Sequence, residues 1–156
     1  MPDDRRTQLQ KLHREHDEAL AFSEQIAALA AAGDDQSLAE GVRLIREYYD
    51  RELETHLQLE EQTLLARLLK YDRAHLPLCM RLGNEHGLLR SIATSIDPTT
   101  APDDLPTFAR VLKEHTVFEE EEFLPLVASL FTHEELDAVL NFSPLPTRPA
   151  SGMPGR

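Results

Sequence analysis

The chain reads as an all-α protein: an up-down-up-down antiparallel four-helix bundle with a short C-terminal helix and a disordered tail. Three observations predict this. Val, Ile and Thr are sparse beside Leu, Ala and Glu, a balance that favours helix over sheet. Apolar residues recur at helical spacing along four long stretches. Short punctuated connections separate those stretches, which makes sequential helices antiparallel neighbours. At 156 residues, 41% of them apolar, the chain suffices for one domain with a sizeable core.

The first helix runs from about Asp4 to Ala32 and ends at Gly33, a residue suited to a left-handed C-terminal cap. Ser37, with Glu40 three residues on, forms a capping-box signature for the second helix, which continues to about Lys70. Asp72 and Pro77 mark the entry to the third, which carries Leu78, Leu82, Leu89 and Ile96. Asp97-Pro98-Thr99-Thr100-Ala101-Pro102 is a loop by composition. Asp103 or Asp104 caps the fourth helix, with Pro106 in its first turn, where a missing N–H is harmless. That helix reaches about Phe131, and Pro125 is expected to bend or loosen its last turns. Thr132 and Glu135 cap a short fifth helix ending near Leu140. The bundle thus takes residues 1–141, and the Pro- and Gly-rich residues 142–156 form the tail.

The formal charge of −12 comes without any cluster of Lys and Arg, which argues against nucleic-acid binding. Such an excess usually describes a solvated surface. Some of these carboxylates are instead candidates to hold cations. The single Cys79 excludes an intramolecular disulfide framework and agrees with a reducing compartment. The polar start, Met1 to Arg6, has no apolar run behind it, and no stretch approaches the length of a membrane span. The expectation is a cytoplasmic protein with no nucleic-acid or membrane partner.

The most informative feature is a duplication. His56-Leu57-Gln58-Leu59-Glu60-Glu61 and His115-Thr116-Val117-Phe118-Glu119-Glu120 each place a Glu four residues after a His, ahead of an apolar pair. On a helix these positions share a face, so each copy aims an imidazole and a carboxylate at one point. Both interrupt apolar stripes: Val42, Ile45, Tyr49, Leu53 and Leu64 in one helix, Phe108, Leu112, Phe123 and Leu126 in the other. The other two helices bring one His each to mid-stripe. His16 lies among Leu9, Leu12, Leu20, Ser23 and Ile26; His86 lies among Cys79, Leu82, Leu89, Ala93 and Ile96. A buried Glu needs a cation or dense hydrogen bonding, because an unpaired interior charge costs several kcal/mol. Nitrogen and carboxylate donors in this number suit a pair of iron-like cations.

The spacing alone is weak, since seven His and 28 acids produce such pairs by chance. His13–Asp17 and His133–Asp137 also have it. His133 starts a helix and fits local hydrogen bonding, His75 faces solvent before Pro77, and His13 flanks the His16 face as a further candidate ligand. The competing reading of the two main pairs is ordinary ion pairing on a wet surface. Their place on apolar stripes and their matching flanks favour burial. The candidate ligands are therefore His16, His56, Glu60, His86, His115 and Glu119.

In order and spacing, these residues resemble the hemerythrin-like (HHE cation-binding) domain, over roughly Leu9 to Leu140. The Glu15-His16 and Glu85-His86 pairs and the Glu-Glu-x-x-Leu type run after each paired His are similar too. The resemblance implies a four-helix bundle around an oxo- or hydroxo-bridged pair of iron ions that meets O₂, peroxide or nitric oxide. By that likeness Glu60 and Glu119 bridge the irons and the four His are terminal ligands. Ferritin-type bundles use Glu-x-x-His instead. One departure stands out. Oxygen-carrying hemerythrins have five His, two of them four residues apart on the third helix, whereas here Arg90 and Leu82 flank His86 at that distance. The missing donor is His13, Tyr49, Glu122 or water. A more anionic set of ligands favours the ferric state and counts against plain reversible O₂ carriage.

Ligating His commonly donates its second N–H to a carboxylate, and Glu15 or Glu52 could accept it. Leu53, Leu89, Phe118 and Phe123 would restrict water. The leading expectation is a di-iron protein that binds, senses or reacts with O₂, reactive oxygen or nitric oxide. A peroxide-consuming enzyme at the same site is the next reading. Zinc or manganese in the same bundle follows, and a metal-free interaction bundle comes last.

Overall fold

The computed structural model describes residues 7–146; the expected helical start at Asp4 and the tail from 147 onward lie outside the described residues. Among the described residues five helices follow one another: α1 (Thr7–Ala32), α2 (residues 35–71), α3 (Leu76–Ser95), α4 (residues 101–130) and α5 (His133–Leu140). Among the described residues there is no strand. None of these helices is long and apolar enough to cross a membrane. The architecture is an all-helical bundle in which α1 packs along α4 and α2, α3 packs on α4 and α2, and α5 closes over α1.

The termini follow local chemistry, with some corrections to the sequence reading. Gly33 takes φ +70°, as a left-handed cap requires, and ends α1 as expected. That places Asp34, not Ser37, at the N-cap of α2, where its carboxylate accepts from the Ser37 N–H at 2.8 Å. Glu40 pairs with Arg43 instead of completing a capping box. Asp72 caps a short 3₁₀ turn, Arg73–His75, and α3 enters with Pro77 in its first turn. Helix α4 begins at Ala101, so Asp103 and Asp104 lie inside its first turn rather than at the cap, favoured there by the helix dipole. Pro106 consequently falls in the second turn. The expected capping box of α5 is present: Thr132 accepts from the Glu135 N–H, and the Glu135 carboxylate accepts from the Thr132 N–H.

Three wide π turns, absent from the sequence reading, interrupt the long helices at Tyr49–Leu53, Glu60–Leu65 and Glu119–Phe123. Two of them start at the Glu of each duplicated motif. Their cause is legible in hindsight. Buried positions follow at strict intervals of four, Glu60-Leu64-Leu68 and His115-Glu119-Phe123-Val127. Four residues overshoot a turn of an ideal α-helix by about 40°, and a widened turn absorbs the excess. Val127 therefore points inward and Leu126 is only half-buried. The irregularity expected from Pro125 is concentrated in the turn just before it, because the Pro ring crowds the carbonyl four residues back, at Glu121. On α1 Ala19 takes the inward position in place of the half-buried Leu20.

The core is two apolar clusters. One gathers Ile26, Ile45, Leu53, Leu57, Leu89, Phe108 and Leu112 among others. The other gathers Leu9, Leu12, Leu64, Leu82, Phe123 and Leu136 with their neighbours. Along every long helix the chain passes from one cluster to the other through His16, His56–Glu60, His86 or His115–Glu119. The polar residues sit at the seam. Residues 142–146 have no regular structure, yet Phe142 packs on the second cluster and the Leu145 N–H donates to Gln58 at 2.9 Å.

Helix α2 reaches α4 closely at Gly41, where an added Cβ would lie 2.3 Å from Cδ2 of Leu105, itself fully buried. Gly41→Ala is therefore expected to lower stability by about 1–2 kcal/mol through overpacking, despite the ~1 kcal/mol by which a helix prefers Ala. Urea unfolding measures it, and a stabilised variant would contradict the close contact.

Candidate metal centre

Six side chains from four helices converge at the seam. His16 comes from α1, His56 and Glu60 from α2, His86 from α3, and His115 and Glu119 from α4. Glu60 and Glu119 are fully buried, and each offers one oxygen to each side. Glu60 Oε2 lies 2.9 Å from His56 Nε2 and 3.3 Å from His16 Nε2, while Glu60 Oε1 lies 3.1 Å from His86 Nε2. Glu119 Oε1 lies 2.8 Å from His16 Nε2, while Glu119 Oε2 lies 3.2 Å from His115 Nε2 and 3.8 Å from His86 Nε2. Two four-residue groups result, His16–His56–Glu60–Glu119 and His86–His115–Glu60–Glu119, each with donor atoms within 4.8 Å of one another. They share both carboxylates.

The other ring nitrogen of each imidazole also meets a carboxylate. Nδ1 of His56 lies 2.7 Å from Glu15, of His86 2.7 Å from Glu61, of His115 2.7 Å from Glu85, and of His16 2.6 Å from Glu120. A carboxylate can only accept, so Nδ1 donates and carries the proton. In a neutral ring Nε2 is then a bare lone pair, aimed at carboxylate oxygens that are also acceptors. Consistent with this clash, His115 Nε2 and both oxygens of Glu119 are buried without any hydrogen bond, although they stand close to one another. A proton or a metal ion between the acceptors removes the conflict. Nitrogen and carboxylate donors fit a borderline cation such as iron.

With protons as the only cations, the titration behaviour shows how strongly the cluster demands positive charge. Burial pushes the four imidazoles down, but the surrounding carboxylates more than reverse it. His56 rises to about 9 and His86 to about 11, with His16 and His115 also raised. Burial likewise pushes Glu60 and Glu119 up, and Glu60 repels Glu119. The imidazoles still win, holding Glu119 at about 2 and Glu60 well below the carboxylate range.

The remaining residues named from sequence fall elsewhere. His13 does not join the cluster; its Nδ1 lies 2.9 Å from Glu120. Tyr49 donates to Glu54 at 2.8 Å, and Glu122 is exposed. His75 is half-buried rather than solvent-facing, and His133 reaches across to Gln8 on α1 instead of bonding within its own helix. Glu15 serves His56 as anticipated, whereas Glu52 pairs with Arg51. Glu61, Glu85 and Glu120 were not anticipated as acceptors. The available signal was their place directly beside a candidate ligand. Leu53, Leu89 and Phe123 are buried near the seam, but Phe118 is half-buried beneath the Arg81 guanidinium, 3.7 Å from its ring centre. A cavity of about 20 Å³ opens beside His16, His56 and His115, walled by Glu15, Glu18 and Glu52 as well as Ala19, Tyr48, Leu53, Leu57, Leu112 and Thr116.

The family described as the Hemerythrin HHE cation binding domain matches residues 7–127. The chain belongs to this family. No curated protein and no solved structure gave a match.

A pH dependence follows for the metal-free protein. Raised imidazoles contribute stability that is complete below their ordinary 6.5 and is lost as pH climbs through about 9 and 11. The depressed Glu119 contributes stability above 4.5 that is lost only toward pH 2. The chelator-treated chain is thus expected to be most resistant to urea between pH 4.5 and 6.5 and to weaken steadily toward pH 10. Metal loading should tilt the profile the other way, since ligation displaces protons. A chelated protein that gains stability from pH 6 to pH 9 would sink this account.

Proposed function

We propose that the chain is a di-iron protein that binds, senses or reacts with O₂, peroxide or nitric oxide. In this reading His16 and His56 would hold one iron, His86 and His115 the other, and Glu60 and Glu119 would serve both. The single observation that carries it is the pair of fully buried carboxylates, each presenting one oxygen to each His pair. Membership of a cation-binding family supports it. When bound, a pair of irons supplies redox chemistry and open coordination positions for small oxygen- or nitrogen-containing ligands.

The protein's own part is to position and to exclude. Glu15, Glu61, Glu85 and Glu120 fix each ring with Nε2 inward and raise its basicity as a donor. The apolar clusters keep water from the seam. The cavity has room for about one water-sized molecule, which suits a diatomic or peroxide and rejects organic substrates. Four imidazoles against two carboxylates, with Arg90 where a fifth imidazole could stand, favour the oxidised state and reaction over reversible oxygen carriage. The reading includes an antiparallel up-down-up-down order for α1 to α4, supported by the short connections between them. It also includes a reducing, cytoplasmic setting, supported by the lone buried thiol of Cys79.

The test is metal analysis and optical spectroscopy on protein purified without chelator, then reconstituted with Fe(II) without oxygen. About two irons per chain are expected, with near-ultraviolet absorption that changes on adding peroxide. Because each carboxylate serves both positions, Glu60→Gln or Glu119→Gln should abolish both ions, while His56→Ala or His115→Ala should leave about one. A reconstituted chain that retains no iron rejects the proposal.

A further inference from the structure

We propose that Arg90 is a positioning residue for the His86 half of the metal centre, acting by clamping the carboxylate that holds the His86 ring. The inference rests on the reading of the site as two cation positions. Arg90 lies on α3, four residues after His86, and its guanidinium bridges two acids of α2. Nε and Nη2 donate to Glu54 at 2.7 and 3.2 Å, and Nη1 and Nη2 donate to Glu61 at 2.7 and 3.0 Å. The same Glu61 oxygen that meets Nη1 accepts from His86 Nδ1 at 2.7 Å. A two-pronged hold on Glu61 stops that carboxylate from rotating, so the ring it accepts from is fixed as well.

Arg90 is itself held. Glu54 also accepts from the Tyr49 hydroxyl and from Gln58, both at 2.8 Å, and Gln58 in turn accepts the Leu145 N–H at 2.9 Å. One continuous chain of hydrogen bonds thus runs from the 142–146 segment through Gln58, Glu54, Arg90 and Glu61 to His86.

The other three rings are supported more loosely. Behind His56, Glu15 meets the flexible ammonium of Lys11, 44% exposed. Behind His115, Glu85 meets one nitrogen of Arg81 at 3.2 Å, on a side chain 46% exposed. Behind His16, Glu120 meets the His13 ring. Arg90 is 28% exposed and makes four bonds. The cavity, moreover, borders His16, His56 and His115 but not His86. His86 is thus the most firmly held of the four rings, and Arg90 is the outermost part of that hold.

The experiment is a titration of the full-length metal-free chain with Co(II), followed through the visible bands that report its coordination. The wild type should take up two ions. In Arg90→Gln one binding step should weaken about tenfold or more, the range expected for residues that orient a ligand, with the other step unchanged. Arg90→Lys restores charge but no fork and should leave the weak step weak. Glu54→Gln, which keeps both Arg90 and Glu61, should weaken the same step to a smaller extent. Lys11→Gln should leave it alone. Full recovery in Arg90→Lys, or an Arg90→Gln titration superimposable on wild type with both ions bound, overturns the role of Arg90 while the metal reading stands. Equal weakening of both steps with a lowered melting temperature shows general destabilisation and overturns it too. A wild type that binds no Co(II) overturns the metal reading and this role with it.

Discussion

Two carboxylates buried where two apolar clusters meet are the constraint on which the rest of the molecule depends. Glu60 and Glu119 have no exposed surface, and their charges repel across a small gap. In an interior of low effective dielectric, such a pair is strongly unfavourable unless positive charge lies between or around it. The surroundings answer in shells of alternating sign. Imidazoles face the carboxylates, four further Glu face the imidazoles, and Lys11, Arg81 and Arg90 face three of those Glu, the fourth meeting the His13 ring. Removing any one layer leaves the next uncompensated. The whole polar seam therefore stands as a unit between the two hydrophobic halves.

The outer hydrogen bonds also explain how four helices are held in register by a polar seam. Glu120 of α4 accepts from His16 of α1, and Glu15 of α1 accepts from His56 of α2. Glu61 of α2 accepts from His86 of α3, and Glu85 of α3 accepts from His115 of α4. The four bonds close a ring around the bundle, each one crossing between helices. Apolar packing tolerates sliding, because methyl groups are nearly interchangeable partners. A ring of charge-assisted hydrogen bonds does not, since a one-residue slip would break it at several points.

Much of this was legible in the sequence, and the parts that were not have physical reasons. The long helices, the Gly33 cap and the Thr132–Glu135 box follow from local propensity and side-chain reach, which act within a few residues. That His16, His56, Glu60, His86, His115 and Glu119 share one level followed from their mid-stripe positions. The π turns escaped because a period of 3.6 was assumed where the inward residues run at intervals of four. The same assumption misassigned Leu126, whereas on the regular α1 the inward residue after His16 is three positions on, at Ala19, and not four, at Leu20. The acceptors Glu61, Glu85 and Glu120 escaped because they lie about 100° round the helix from their neighbouring ligand. They serve the next helix, and a reading along one helix face cannot find a partner on another. The N-cap at Asp34 was lost to a plausible rival three residues along the chain, since Ser37 is an equally good cap by residue type and only the left-handed Gly33 decides which residue meets the first free N–H groups.

The ring is close to two-fold, with α1–α2 echoed by α3–α4, but His86 is set apart from the other three imidazoles. The cavity borders His16 and His56 of one half and His115 of the other, whereas His86 is wholly enclosed and braced through Glu61 and Arg90. A symmetric site would have to compromise between gripping an ion and admitting a ligand, since the same looseness that opens a coordination position weakens the hold. If the site holds cations as proposed, the braced His86 would anchor the shared carboxylates, and the three rings beside the cavity would be the ones with room to adjust. Only molecules of about the size of water fit the cavity. Under the proposed function, a larger redox partner would then have to exchange electrons through the protein shell rather than by entering.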